Sequence, residues 1–168
     1  MTSAPVIRPA LLVLISLAAL LLQTMILPYV AVGTIVPDAV LIWIVYLAIT
    51  RGHIAGSTAG FFLGLILDVL MGGDSMLGLS AFTKTLAGFL AGYAFSENKT
   101  LQTLSTSRFP IIVAITALVH NQFYFLVSLQ GSDIPLESVV LRYGIPATIY
   151  TGLLALLPMF IFSRRVHS

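Results

Sequence analysis

Between Arg51 and Gly72 the chain places glycine at every fourth position: Gly52, Gly56, Gly60, Gly64 and, beyond Asp68, Gly72. In water this run would make a poor helix, since each interior glycine costs about 1 kcal/mol relative to alanine. Inside lipid the balance changes, because every backbone group must pair within the chain and the helix survives. Helix association there rests on close packing, and a row of missing side chains lets a neighbouring backbone approach. Four residues turn a helix by roughly 400°, so the row drifts about 40° per step and forms an inclined ridge. Such i±4 ridges favour a crossed, right-handed contact. The stretch is therefore expected to be the packing helix of a membrane protein.

Composition agrees with that setting. Mean hydropathy is +1.05, and only 8% of residues are charged, where a soluble domain carries about 25%. With 168 residues and several long apolar runs, there is room for one integral membrane domain and little else. The net charge of +2 gives no case for nucleic acid. Cysteine is absent, which removes disulfides, thiolate metal sites and cysteine nucleophiles. Arg8 followed by an apolar run imitates a signal peptide. That run is too long for an ordinary h-region and no A-x-A site follows, so it is expected to remain as an anchor.

An all-α fold of six membrane helices follows, at about 9–27, 38–50, 53–71, 79–95, 110–129 and 136–162. Pro28-Tyr29 ends the first, and the uncharged stretch 28–37 is a loop or a dipped, partly buried segment. Pro37-Asp38 opens the second helix, with Asp38 as first-turn acid or cap. The fourth carries Lys84, Gly88 and Gly92, again spaced by four; Gly144 and Pro146 interrupt the last. Six crossings put Arg8, Arg51, Lys99, Arg108, Arg164 and Arg165 on one side, and Asp38, Asp74, Asp133 and Glu137 on the other. By the positive-inside rule both termini are cytoplasmic.

Few residues suggest chemistry. Asp68 and Lys84 fall at comparable depth on successive helices, and intramembrane carboxylates usually face a partner or a wet cavity. Two readings stand: Asp68 pairs with Lys84 across the glycine ridges, or Lys84 snorkels to the headgroups while Asp68 caps the Gly72-Gly73 turn. His120-Asn121-Gln122 lies near the middle of the fifth helix. Successive residues point about 100° apart, so the three cannot face one cavity. Interhelical hydrogen bonding is the favoured role, because a proton relay needs an ionisable neighbour and none is placed at that depth. An aspartyl dyad of Asp38 and Asp68 needs a shared geometry that nothing in the spacing demands. No nucleophile order, P-loop or metal-spaced set is visible, and neither a cofactor nor catalysis is expected.

In order, the features are a short N-terminal anchor, Pro37-Asp38, R-G-x3-G-x3-G-x3-G-x3-D-x3-G from Arg51 to Gly72, and a helix holding Gly88 and Gly92. This set resembles the MreD family, the small rod-shape-determining membrane proteins of bacteria. The resemblance is carried by Pro37–Gly92; elsewhere it is one of length, hydropathy and helix count. It implies a non-enzymatic inner-membrane partner of MreC, within the machinery that links MreB filaments to peptidoglycan synthesis by RodA and a class B transpeptidase. It also implies a six-helix bundle like the S components of energy-coupling-factor vitamin transporters, which supply the alternative function. Those proteins dock through small residues spaced by four in their first helix. Here Ala10 and Ala18 flank Leu14, which interrupts the row, and no polar cluster marks a vitamin pocket.

Overall fold

The computed structural model describes residues 8–71, 76–96, 98–130 and 135–167. Among these the chain is helical, apart from short connections and an isolated bridge between Val32 and Ile35. Four stretches are long and apolar enough to cross a membrane: Pro9–Val30, His53–Met71, Arg108–Ser128 and Val139–Arg164. A shorter apolar helix, Ala39–Arg51, accompanies them.

Helix α1 (Pro9–Leu21) starts on a proline, whose missing N–H costs nothing in a first turn. It continues as a π segment, Leu22–Ile26, and a 3-10 turn, Leu27–Val30. Helical backbone thus runs past the expected end at residue 27. Pro28 cannot donate to the carbonyl four residues back, and the altered winding absorbs that loss. A tight turn at Val32–Ile35, with Gly33 at φ 65°, leads to buried Pro37.

Helix α2 (Ala39–Arg51) is the core of the molecule. Nine of its thirteen residues are buried, and every principal apolar cluster includes part of it. Trp43 stacks on Tyr46 at 5.1 Å, and Tyr46 stacks on Phe162 at 5.5 Å. The helix ends at Gly52, whose φ of 87° reverses the chain in a conformation that other residues rarely adopt.

Helix α3 (His53–Met71) then runs antiparallel to α4 (Leu79–Ala91), which closes in a 3-10 turn at Gly92–Ala94. The glycine rows of the two helices face each other. A Cβ on Gly56 would lie 2.6 Å from the Gly88 carbonyl, one on Gly64 would lie 2.5 Å from the Ser80 carbonyl, and one on Gly60 would strike the Lys84 carbonyl. Gly92 packs against the His53 backbone. Partners advance by four in one helix as they fall by four in the other, so the backbones stay in contact over three turns. Gly72 lies outside the described residues.

Beyond a short helix α5 (Thr100–Leu104), α6 (Arg108–Ser128) crosses back. Next come α7 (Leu136–Ser138), a π segment at Val139–Gly144, α8 (Ile145–Leu154) and α9 (Leu156–His167). Gly144 and Pro146 interrupt this last stretch as a change of winding: the π segment ends at Gly144, and Pro146 sits in the first turn of α8, where its ring is tolerated. A second interruption comes at Ala155, because Pro158 cannot donate to the Leu154 carbonyl. Hydroxyl groups of Thr24, Thr50, Thr58, Thr83, Thr116 and Thr148 donate to carbonyls four residues back along the helical backbone. That geometry hides a polar group where water is absent.

Candidate functional site: a polar node at the head of α2

A helix start leaves backbone N–H groups without partners, and an aspartate just before it can accept from them. Asp38 is the N-cap of α2: its Oδ1 accepts from the Leu41 N–H at 2.8 Å. Its other carboxylate oxygen, Oδ2, is ion-paired with Lys84 Nζ from α4. His120 Nε2 from α6 lies 3.5 Å from the same oxygen. Lys84 and His120 are buried, and Asp38 is 15% exposed. Interior charges are costly unless paired and hydrogen-bonded, and here the lysine and the cap supply both.

The same point is fixed from two more elements. Gln23, in the π segment that follows α1, donates through Nε2 to the Pro37 carbonyl at 3.2 Å and accepts the Ala39 N–H at 2.8 Å. Thr151 of α8 accepts the Asp38 N–H at 3.1 Å. The backbone on either side of Asp38 is therefore clamped, and its side chain joins α2 to α4 and approaches α6. Tyr150 ties the preceding loop down by donating to the Val30 carbonyl at 2.6 Å.

Of the two readings for Asp68 and Lys84, the ion pair does not form. Asp68 is 2% exposed and accepts three backbone N–H groups, from Gly78 at 2.9 Å, Ser80 at 3.1 Å and Ala81 at 3.2 Å. It closes the α3–α4 hairpin by capping the start of α4, while Lys84 turns away toward α2. Nor does Lys84 snorkel to a surface, since its side chain is only 3% exposed. Asp38 and Asp68 serve separate networks and share no proton. Replacing Asp68 by alanine should strand those N–H groups and cost about 2 kcal/mol or more. Unfolding in mixed micelles measures it, and Asp68→Asn, which keeps one acceptor, should lose less.

The trio on α6 splits three ways. His120 faces Asp38, with its ring 5.9 Å from that of Tyr124 and its Nδ1 without a partner. Asn121 donates to Thr148 Oγ1 at 3.2 Å, joining α6 to α8. Gln122 packs against Gly144, at the end of the second π segment, with both ends of its amide unpartnered among the described residues. The expectation that no ionisable group shares the depth of His120 is corrected: Asp38 and Lys84 both do, because the head of α2 lies inside the bundle. Gln23, Thr148 and Thr151 were not singled out from sequence. Gln23 had a usable signal, as the only amide in the first apolar run.

Among the described residues no group of three or more His, Cys, Asp or Glu is arranged to hold a metal. The node is a brace joining α2, α4 and α8 to the segment after α1, with α6 alongside. A family model described as rod shape-determining protein MreD matches residues 6–166. The chain belongs to the MreD family. The match reaches well beyond Pro37–Gly92 and takes in Gln23, His120, Thr148 and Thr151, so the whole node lies within the MreD region. No curated protein and no solved structure matches the chain. Family and apolar helices together make this an integral membrane protein of the rod-shape-determining class.

Proposed function

We propose that this MreD-family chain is a non-enzymatic inner-membrane component of the bacterial elongation complex. It binds the transmembrane helix of MreC and helps couple MreB to peptidoglycan synthesis by RodA and a class B transpeptidase. The observation that carries this reading is the family match over residues 6–166. The arrangement proposed is six crossings in an S-component-like bundle, with α2 and α4 as the short ones and both termini cytoplasmic. Arg8, Arg51, Lys99, Arg108 and Arg164 then share the cytoplasmic side.

Both glycine rows are occupied by each other, which leaves α1 as the surface for MreC. Its spanning stretch is 17% buried, against 22–33% for the other three long apolar stretches. Leu14 and Leu17 face outward, 63% and 51% exposed. MreC should co-purify with this protein from membranes, and Leu14→Trp with Leu17→Trp should lower its recovery at least about tenfold. Unchanged recovery excludes α1 as the contact. Failure of MreC to co-purify with the wild type, with an ATPase module and a bound vitamin found instead, makes the protein a transporter S component.

A further inference from the structure

At the end of the bundle where α2 and α9 meet α5, a cavity of about 320 Å³ opens beside the start of α6. Its lining combines two cations, Lys99 and Arg108, with the hydroxyl-bearing Ser96 and Thr103 and the apolar Ile111 and Ile112. Lys99 and Arg108 are exposed, and neither pairs with a carboxylate among the described residues. Helix α6 begins at Arg108 without a side-chain cap; Pro110 has no N–H and those of Phe109 and Ile111 bond to the Thr106 and Ser107 carbonyls, so the helix adds its dipole to the two side chains rather than a set of free N–H groups.

Two cations without a carboxylate partner among the described residues, beside the positive end of a helix, form a receptor for a phosphate group. The remaining wall says which phosphate. Ile111 is 54% exposed and lies one turn into α6, on a helix long and apolar enough to cross the membrane. The cavity therefore passes from a cationic, hydroxylated mouth to an apolar side facing lipid. A free anion has no use for that side, whereas a phospholipid matches both parts. We propose that this cavity binds the headgroup phosphate of an anionic diacyl phospholipid, held by Lys99 and Arg108 with its chains along Ile111 and Ile112. The site is separate from the Asp38 node and does not depend on MreC binding.

The test is native mass spectrometry of the purified protein in mild detergent, where no charged bilayer surface contributes, with added phosphatidylglycerol or phosphatidylcholine. Wild type should retain phosphatidylglycerol selectively. Each charge-assisted contact to the phosphate supplies at least about a factor of five, so Lys99→Gln with Arg108→Gln should weaken retention roughly 30-fold or more. The charge-matched pair Arg8→Gln with Arg164→Gln removes two exposed cations outside the cavity and should retain lipid like the wild type. Equal losses in both pairs, or equal retention of phosphatidylcholine, overturn the proposal. Inorganic phosphate in large excess should leave the lipid in place; if it displaces the lipid, the site takes free phosphate and the lipid assignment is wrong.

Discussion

Valine at Gly60 and Gly64 is expected to separate α4 from α3 and to give the largest loss of stability of any change considered. A Cβ at Gly60 meets the Lys84 carbonyl and the Thr85 nitrogen, and one at Gly64 comes within 2.7 Å of the Ala81 nitrogen. These are backbone atoms, so no change of rotamer relieves the clash and one helix must move bodily. Overpacking usually costs 1–3 kcal/mol, and rigid backbone on the opposing side puts each site at roughly 3 kcal/mol or more. The damage should spread, since pushing on the Lys84 carbonyl also shifts the lysine that reaches Asp38. Unfolding in mixed micelles and the amount of protein in membranes are the measurements. Gly152→Ala is the control, because its added carbon would sit an ordinary 3.4 Å from Ala114. If the double valine variant unfolds like the wild type, backbone contact between the rows is not what holds this hairpin.

Lys84→Met is the second large effect. It leaves the Asp38 carboxylate partly buried without its cation, a change that costs about 3–5 kcal/mol when one member of a buried pair is removed. Adding Asp38→Asn should restore much of the loss, because asparagine still accepts the Leu41 N–H and no charge remains to be balanced. The double-mutant cycle should therefore show strong coupling between positions 38 and 84. The cycle between positions 68 and 84 should show no more than about 0.5 kcal/mol, the scatter of independent sites. Strong coupling to Asp68 with none to Asp38 reverses the assignment.

The spacing of Gly56, Gly60, Gly64, Gly88 and Gly92 is legible because a missing side chain is a local signal with a helical interval. Ion pairs are not local. Asp68 and Lys84 share a depth on consecutive helices, but depth along the membrane normal says nothing of the direction in which a side chain leaves its helix. Lys84 presents its carbonyl to Gly60 and sends its ammonium group to α2. Asp38 is legible as a helix-starting acid, but not its neighbours: packing α2 among α3, α4, α6 and α8 brings its head to Lys84 and His120. The altered winding at 22–26 and 139–144 ends two residues before Pro28 and Pro146, so each proline marks a disturbance without saying which winding results. Pro146 was legible as a proline but not as a first-turn proline, which depends on the winding before it.

The unequal lengths of the helices determine how the protein meets the bilayer. At 1.5 Å per residue, the 13 residues of α2 reach roughly 20 Å, well short of a hydrocarbon layer about 30 Å thick. Were this helix on the outside, surrounding lipid would have to thin to match it. It is largely enclosed instead, and much of the annulus meets stretches of 19 to 26 residues, which fit the layer directly or with tilt, while α4, also of 13 residues, reaches the surface through Phe82 and Phe89. The short helix that Asp38 caps is thereby kept largely away from lipid, and it is at α4 that the bilayer meets a short helix.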